Sequence, residues 1–498
     1  MNNRALHAPR FAVTRIECFE RPVTLRLPFR FGAATVHSAS QAFVRATIRG
    51  TDGRTAQGMA AELMIPKWFD KSPDRSNARN LDDLRASLVL ARAAYSSNSA
   101  PRTAFGHAAF HYRALLEEGS RAGLNALTAS YGPALTDRAI LDALCRVRDV
   151  SFGTALWLNL PGLGAELAPD LAHFDFDAFF SALPALTSID ARHTVGMADP
   201  LTEDEIDRSS APGDGLPVAL TEVIAHYRNR YFKLKLGGDV DADIARLRRI
   251  AQVLESVPDY RVTLDGNEQF AEPQALAAFQ RALIADPALA RLRGVILYLE
   301  QPLPRAVALD IDVRALARDM PLIIDESDAT IEAFPLARAH GYAGCSSKSC
   351  KGVYKSLLNA ARCIRWNSGF DAVHAFMTGE DLTAQPGLAV QQDLALAGIL
   401  GLAHVERNGH HYAAGFAGQH ASRREQQAFL DAQPGLYEAA GDTVRLAIRE
   451  GRIALASLAT RGFASAAWPE IETLSPMQHP ERAQDNEHPR NERQGNRP

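Results

Sequence analysis

The chain has 498 residues, of which 46% are hydrophobic and 22% charged, so its composition is that of an ordinary globular protein long enough for more than one domain. Lys and Arg (54) nearly balance Asp and Glu (58), and the formal net charge of -4 does not indicate a nucleic acid or an anionic membrane as partner. We therefore expect a small-molecule ligand, with no nucleic-acid partner and no membrane partner.

Cysteine usage and the N-terminal sequence favour a cytoplasmic location. The five cysteines are scattered and lack the paired spacing of a zinc site or a disulfide framework, as is typical of reduced thiols. The N-terminus lacks the apolar stretch of a secretory signal, and no window holds the ~18 uninterrupted apolar residues that a membrane span needs. We expect a soluble, cytoplasmic protein.

The first 192 residues have the pattern of an α+β domain. Residues 11–62 alternate between apolar and polar side chains, with turn signals at 50–53, as in an antiparallel meander. Helical spacing of apolar residues follows at 80–97, 107–123 and 137–149. A sheet followed by helices predicts an α+β fold for this domain, in which the stretch 160–192 has no assigned role.

From residue 193 onward, short β-branched runs alternate with helical stretches. The predicted strands are 193–197, 231–236, 261–265, 295–300, 321–325, 343–348, 371–376 and 403–406. Eight strands with helical crossovers predict a closed parallel TIM-type barrel over 193–412, with its chemistry at the C-terminal ends of the strands. The stretch 198–216 has no assigned role. We expect residues 413–468 to pack back on the first domain, and the polar tail 469–498 to be disordered.

Three acidic side chains end successive predicted strands of the barrel: Asp265, Glu300 and Asp325. In a closed barrel they point toward one position, and three carboxylates with open coordination positions suit a hard divalent cation, for which Mg2+ is the natural choice. Any one of them alone is explained equally well as the cap of the helix that follows its strand. For three in succession, we favour the metal site.

Lysines lie on either side of these carboxylates in the chain. Lys233 and Lys235 are two residues apart on one strand, so both side chains point to the same face, toward the barrel mouth. Repulsion and partial desolvation favour the neutral amine and would make one of them a base, whereas an exposed edge strand is the alternative explanation for such a pair. Lys348 ends the sixth strand and should face them across the mouth. Lys351 is expected in the following loop, as a surface or phosphate-type contact.

These residues resemble the enolase superfamily, specifically its muconate-lactonizing-enzyme-like subgroup in the mandelate racemase/muconate lactonizing enzyme family. The resemblance extends over nearly the whole chain up to the tail and is carried by five motifs: Lys233-x-Lys235, Asp265-Gly-Asn267, Glu300-Gln301-Pro302, Asp325-Glu326-Ser327 and Lys348 with Lys351-Gly352 behind it. It implies a modified TIM barrel, (β/α)7β, with residues 1–192 as an N-terminal α+β capping domain. It also implies a homo-oligomer.

The resemblance further implies an activity and a set of roles. The shared step is abstraction of the proton alpha to a carboxylate of a small substrate, through an enediolate held by magnesium. Carried over by position, the Mg2+ ligands are Asp265, Glu300 and Asp325, and the acid/base pair is Lys235 and Lys348. Lys233 is expected to contact the substrate carboxylate and to help keep Lys235 neutral. Asn267 and Glu326 are expected to support the site from behind.

Several other residues are candidates for the site. Glu380, after the seventh strand, is expected on the substrate side or paired with a lysine, although helix capping explains it equally well. His374, in that strand, is interpreted as a core histidine rather than a base. Phe29 and Trp68 in the capping domain are candidate substrate contacts, although packing between domains is the more ordinary explanation of each. The pair His410–His411 lacks a third ligand at metal spacing and is expected at the surface.

Racemisation or epimerisation is the leading reaction, because the two lysines face each other. Cycloisomerisation and elimination of water by an acid dehydratase, a lyase, need the same residues and stay open. The chain has no Asp-x-Asp at the eighth strand, which disfavours a dipeptide epimerase. A barrel that only binds a ligand is disfavoured because all five positions are filled. A Schiff-base aldolase using Lys235 or Lys348 would leave the three carboxylates unexplained.

Overall fold

A computed structural model describes residues 8–31, 34–209, 211–369 and 374–477. The chain opens with antiparallel strands that form two successive hairpins: β1 (Phe11–Phe31), β2 (Ala34–Gly50) and β3 (Thr55–Met64). Phe11 pairs with Gly50, and Arg49 pairs with Thr55. The predicted antiparallel meander is confirmed, and its strands supply much of the apolar core of the capping domain.

Three long helices pack on this sheet: α1 (Asn77–Ser97), α2 (Ala104–Arg121) and α3 (Ala126–Arg148). Gly58 of β3 lets α3 approach closely, because a Cβ at this position would lie 2.2 Å from the carbonyl oxygen of Ala139. The third helix was predicted to begin at 137 but begins at Ala126. Gly132 and Pro133 in its middle interrupt the helical pattern in the sequence without ending the helix.

The stretch that follows completes the capping domain. It contains two short helices, α4 (Phe152–Trp157) and α5 (Phe176–Ser181). Leu160, Leu171 and Phe180 are buried in the same core as the three long helices. The stretch 160–192, which had no role in the sequence, therefore packs on the cap and then enters the first strand of the barrel.

Eight parallel strands close into a barrel. In chain order they are β4 (Ser188–Val195), β5 (Tyr231–Lys235), β6 (Arg261–Asp265), β7 (Ile296–Glu300), β8 (Leu322–Ile324), β9 (Gly344–Ser347), β10 (Phe376–Gly379) and β11 (His404–Glu406). Each pairs with the next, and β11 pairs with β4 through Val405 and Ala191. The prediction of a modified TIM barrel with an N-terminal α+β capping domain is confirmed.

Helices connect most of these strands. They are α6 (Leu220–Tyr227), α7 (Val240–Leu254), α8 (Pro273–Ala285), α9 (Ala290–Arg293), α10 (Ala333–Ala339), α11 (Val353–Asn367) and α12 (Leu388–Ile399). The connection from β7 to β8, residues 301–321, consists of turns rather than a helix. No helix within the described ranges combines the length and the apolar character that a membrane crossing requires.

Two barrel strands differ from their predicted bounds. The first begins at Ser188, before the predicted domain boundary at 193. The seventh spans Phe376–Gly379, whereas the sequence predicted 371–376, of which 371–373 lie outside the described residues. The alternating run before Phe376 looks more like a strand than the sequence FMTG does, but it is FMTG that pairs with β9, from Phe376↔Gly344 to Gly379↔Ser347.

The C-terminal segment packs on both domains. It contains α13 (Arg423–Ala432), the hairpin β12 (Tyr437–Ala440) and β13 (Thr443–Leu446), and two further strands, β14 (Arg452–Ala454) and β15 (Ser475–Pro476). β14 pairs with barrel strand β4, and β15 pairs with cap strand β1, so 413–468 does not pack on the cap alone. Residues 469–477 are ordered, unlike the predicted disordered tail, because β15 extends the cap sheet. Residues 478–498 lie outside the described residues.

Candidate active site

Charged side chains converge at the C-terminal ends of the barrel strands. Lys235, Asp265 and Glu300 end three adjacent strands and are paired in register. Asp325 and Lys348 directly follow β8 and β9. The side chains of all five are at most 8% exposed, so the folded chain brings together the residues predicted for metal binding and proton transfer and shields them from solvent.

Lys233 lies at the centre of a cage of four carboxylates. Its Nζ is 2.9 Å from Asp265, 2.8 Å from Glu300, 2.8 Å from Glu380 and 3.1 Å from Glu406. Burial favours the neutral amine, but the four carboxylates outweigh it and hold the pKa of Lys233 well above its ordinary value. Protein carboxylates surround the ammonium in this arrangement, and the contact of Lys233 with a substrate carboxylate stays a prediction.

Lys235 is held by two neighbours from β6 and the loop after it. Its Nζ donates to Asp265 Oδ2 at 2.6 Å and to Asn267 Oδ1 at 2.5 Å. The amide nitrogen of Asn267 donates in turn to Glu326 Oε1 at 3.1 Å. Asn267 and Glu326 were predicted to support the site from behind. The structure places Asn267 in contact with Lys235, and Glu326 in contact with Asn267.

Lys348 faces the third acidic residue. Its Nζ lies 2.5 Å from Asp325 Oδ2 and 4.3 Å from the centre of the Trp68 ring. Lys351, predicted as a surface or phosphate-type contact, is instead buried, 3.3 Å from Asp325 Oδ1, and donates to Ser346 at 2.8 Å. Asp325 thus has two ammonium partners.

The ionisation of these groups follows from burial and pairing. Burial alone would raise the pKa of Asp325, but Lys348 and Lys351 outweigh it and bring the pKa well below its ordinary value. The pKa of Asp265 is also below its ordinary value, because Lys233 and Lys235 outweigh the effect of burial. Burial also opposes the charge on Lys348, yet Asp325 raises the pKa of that lysine above its usual range. Asp265, Asp325 and Lys348 are therefore charged near neutral pH.

Glu300 differs from the other two acids because its charge is poorly compensated. Burial, and then the charges of Asp265 and Glu380, raise its pKa well above the ordinary value, against the attraction of Lys233. Neither carboxylate oxygen accepts a hydrogen bond of good geometry, although Lys233 Nζ is 2.8 Å from Oε2. A buried carboxylate without donors, between two other carboxylates, fits a bound cation.

The site is not preassembled around a metal. In the part of the chain that the structure describes, no group of three or more His, Cys, Asp or Glu side chains is arranged to hold a metal ion. Lysines engage Asp265 and Asp325 instead. The oxygen donor set is of the kind that suits Mg2+.

Glu380 was predicted to lie on the substrate side or to pair with a lysine. The structure favours the second reading: its carboxylate contacts Lys233 and Arg192, and accepts from Tyr298 at 2.9 Å and Thr378 at 2.8 Å. Its side chain has no exposed surface. Glu380 therefore serves the charge balance inside the barrel, and its assignment as a substrate contact stays a prediction.

The two aromatic candidates of the cap lie near the barrel mouth. Phe29 is half-buried and packs edge-to-face on Tyr412, with 4.5 Å between ring centres. Trp68 is buried in the cap core and packs at 4.8 Å on Phe69. Trp68 is thus a neighbour of Lys348 rather than an exposed surface for substrate, whereas the role of Phe29 stays a prediction.

The histidines are placed differently from the prediction. His374 is exposed and precedes β10 at the end of the barrel opposite the site, so it is neither a core histidine nor a base. His410 and His411 are buried rather than at the surface. His410 bonds with the Tyr227 hydroxyl and the Leu446 carbonyl, and burial lowers its pKa to about 4. These histidines have structural roles.

Some residues of the site were not assigned from the sequence. Arg192 lies on β4 just before the predicted strand, so the correct strand boundary would have placed it inside the barrel. Glu406 ends β11 in the same way as the predicted metal ligands end their strands, which was an available signal. Lys71 and Arg305 join the cap to the barrel mouth. Both lie in loops, where no local pattern indicates their partners.

A sequence profile of a known family matches the barrel region of the chain. Residues 218–424 match the sequence profile of the enolase C-terminal domain-like family. A search of curated proteins gives no significant match to the chain.

Solved structures share the fold over most of the chain. They include an enolase from Streptomyces coelicolor, with 17% identity, a TM-score of 0.55, and coverage of 91% of this chain and 94% of that one. A muconate lactonizing enzyme from Mycobacterium smegmatis complexed with muconolactone has 18% identity and a TM-score of 0.55, with coverage of 91% of this chain and 96% of that one. An enolase from Bradyrhizobium complexed with magnesium and mandelic acid has 14% identity and a TM-score of 0.54, with coverage of 89% of this chain and 93% of that one. Residues 218–424 thus match the enolase C-terminal domain-like family, and the chain shares the fold of these solved structures, which include an enolase and a muconate lactonizing enzyme.

Proposed function

We propose that the protein removes the proton alpha to the carboxylate of a small-molecule substrate, with Mg2+ as cofactor, and racemises or epimerises that carbon. One observation carries the proposal. Lys235 and Lys348 lie at the ends of β5 and β9, and the three strands between them end in Asp265, Glu300 and Asp325. Two amines on either side of a carboxylate cluster can act on opposite faces of one carbon.

Asp265, Glu300 and Asp325 would hold the cation. When bound, it supplies the positive charge that stabilises the negative charge developing on the substrate carboxylate during proton removal. The poorly compensated charge of Glu300 is the feature of this chain that best supports the assignment. A neighbour in fold complexed with magnesium and mandelic acid, which is itself an alpha-substituted carboxylic acid, supports the same ligand chemistry.

The two lysines are held by different carboxylates, Lys235 by Asp265 and Lys348 by Asp325. Lys348 is protonated beside Asp325, because that carboxylate raises its pKa, and it is therefore ready to donate a proton. Lys235, fixed by Asp265 and Asn267, would take the proton from the other face. Exchange of these two roles would let substrates of either configuration react, which is why racemisation or epimerisation is the leading outcome.

A solvent-deuterium screen tests the proposal. Acid sugars, N-acyl amino acids and aromatic hydroxy acids are incubated with the protein in D2O, with Mg2+ or with a chelator, and the alpha proton is followed by NMR. We expect magnesium-dependent loss of that proton signal for at least one class. A cyclised or dehydrated product would instead identify a cycloisomerase or an acid dehydratase. If no carboxylate exchanges and calorimetry detects no Mg2+ binding, the proposal is wrong and a non-catalytic binding barrel is the better description.

A further inference from the structure

One segment of the capping domain reaches both predicted bases. This cap segment, residues 67–72, follows β3 and covers the barrel mouth. Trp68 lies against Lys348, 4.3 Å from ring centre to Nζ. Lys71 lies on the other side, where its Nζ is 2.7 Å from Glu268 Oε2 and 3.1 Å from Glu326 Oε1.

A chain of hydrogen bonds leads from Lys71 to Lys235. Lys71 donates to Glu326 Oε1, the Asn267 side-chain amide donates to the same oxygen at 3.1 Å, and Asn267 Oδ1 accepts from Lys235 at 2.5 Å. Lys71 also donates to the Asn267 backbone carbonyl at 2.9 Å. The buried Oε2 of Glu326 accepts no hydrogen bond from the described residues, so Glu326 links Lys71 to the Asn267 side chain through Oε1. Glu326 thereby fixes which way the Asn267 amide points.

Arg305 fixes the cap segment to the barrel at a second place, nearer to Trp68. Arg305, in the loop after β7, donates to the carbonyls of Trp68 and Phe69, both at 2.9 Å. Arg305 also forms a two-pronged pair with Glu268, at 2.8 Å for each contact. Because Arg305 anchors Trp68, a change at Lys71 should disturb the Lys235 side of the site more than the Lys348 side.

We propose that Lys71 is a positioning residue that orients Lys235 through Glu326 and Asn267 while the cap segment lies on the barrel. Base geometry on the β5 side then depends on the cap segment, because one of the fixing groups, Lys71, belongs to it. The inference rests on the proposed function for its catalytic meaning, but the positioning itself is a property of the protein without substrate.

The first test needs no substrate. Lysines are acetylated with a limiting amount of sulfosuccinimidyl acetate, and the modification of Lys235 is quantified by peptide mass spectrometry. We expect Lys71→Met to raise labelling of Lys235 roughly tenfold, as is typical when an outer hydrogen-bond partner is lost. Lys71→Arg should restore labelling to nearly the wild-type level, because a guanidinium keeps the contact with Glu326.

Lys67→Met is the matched control. Lys67 lies on the same segment, but its Nζ donates to the carbonyls of Ser72 and Arg75 within the cap itself. We expect this variant to label Lys235 as the wild type does. Unchanged labelling of Lys235 in Lys71→Met, or an equal rise in Lys67→Met, would overturn the proposal.

The second test uses a carboxylate that the wild-type protein exchanges in the deuterium screen. In a Lys348→Ala background the remaining exchange depends on Lys235, and adding Lys71→Met should lower it roughly tenfold further. In a Lys235→Ala background the exchange depends on Lys348, and the same addition should change it less than about twofold. Equal effects in both backgrounds would contradict a specific action on Lys235. Failure of the proposed function shows up separately, as no exchange by the wild type, and the labelling experiment then still decides the positioning.

Discussion

Lys233 shows how the chain stabilises a dense group of acids without a metal. One ammonium lies within 3.1 Å of four buried carboxylates, two of which, Asp265 and Glu300, are predicted metal ligands. The other two, Glu380 and Glu406, come from the far side of the barrel. Lys233 therefore acts as an internal counter-ion whose position overlaps the charge that a divalent cation would supply.

Replacement of Lys233 by methionine should separate these two roles. Without the ammonium the four carboxylates repel each other inside the barrel, and we expect the free energy of unfolding to fall by about 3–5 kcal/mol in the presence of a chelator. Added Mg2+ should raise the melting temperature of Lys233→Met by more than it raises that of the wild type, because it no longer competes with the ammonium. Thermal melts with and without Mg2+ measure both effects.

Lys355→Met is the control for this prediction. Lys355 is also a buried lysine, but it pairs with Asp328 rather than with a predicted metal ligand. Lys355→Met should lower the free energy of unfolding, but added Mg2+ should raise its melting temperature no more than it raises that of the wild type. An equal magnesium response in Lys233→Met and in the wild type would show that Lys233 does not occupy the position of the cation's charge.

At the scale of the elements, the site residues predicted from the sequence lie on strands that have a clear strand pattern. β5, β6 and β7 are short apolar runs that end in Lys235, Asp265 and Glu300, so strand bounds and side-chain direction follow from the two-residue alternation. Once the strands are known, closure of the barrel brings their ends together. The family motifs gave the same residues.

The features that were not predicted from the sequence depend on contacts between distant parts of the chain, which a local pattern does not specify. Alternation predicts that Lys233 points inward, but its partners come from β7, β10 and β11, far along the chain. β10 was misplaced because the alternating run before Phe376 looks more like a strand, whereas the actual position is fixed by pairing with β9. Residues 469–477 are held by pairing with β1 and by the burial of Leu474 and Met477, which the polar composition of the tail as a whole does not indicate.

Strand β3 connects the capping domain to the turn that carries Lys348. Glu62 on β3 accepts from Arg138 at 3.0 Å and from Ser349, the residue after Lys348, at 3.1 Å. Burial raises the pKa of Glu62 to about 7, against the attraction of Arg138 and together with the repulsion of Asp393. The carboxyl is therefore partly protonated at neutral pH, within the contact between cap and barrel.

Glu62 should make stability depend on pH. Because its pKa is higher in the folded than in the unfolded chain, its contribution is full below pH 4.5 and is lost as the pH rises through about 7. This corresponds to about 3 kcal/mol. Glu62→Gln should therefore flatten the fall in unfolding free energy between pH 4.5 and 7.5, measured by urea titration.

The comparison must be made as a difference between proteins. Burial also raises the pKa of Asp137 to about 7, so the wild type and Glu62→Gln share that part of the slope. Glu117→Gln, at an exposed position on α2, should leave the slope unchanged. A slope in Glu62→Gln equal to that of the wild type would show that Glu62 does not titrate in this range.

At the scale of the whole molecule, the C-terminal segment joins the capping domain to the barrel. Arg21 on β1 forms two contacts of 2.7 Å with Glu425 on α13 and donates to Thr473 at 2.8 Å. Both charged side chains are at most 4% exposed. This buried pair fixes the capping domain to helix α13 of the C-terminal segment, and so helps to hold the capping domain on the barrel.

Removal of Arg21 should therefore weaken the whole fold. Arg21→Leu leaves Glu425 as a buried charge without its partner, and we expect a loss of about 3–5 kcal/mol in urea unfolding. Arg15→Leu is the matched change on the same strand, because Arg15 is 69% exposed and pairs with Glu17 at the surface. It should cost less than about 1 kcal/mol. Similar losses in the two variants would contradict a joining role for the buried pair.

The account as a whole depends on two lysines that act on one carbon next to a cation-binding carboxylate group. The most direct test follows racemisation and alpha-proton exchange of one substrate in D2O with Mg2+, for the wild type, Lys235→Ala and Lys348→Ala. We predict that each variant loses racemisation by roughly 100- to 10,000-fold while still exchanging the one enantiomer that faces its remaining lysine. Racemisation at the wild-type rate in both variants would contradict the account.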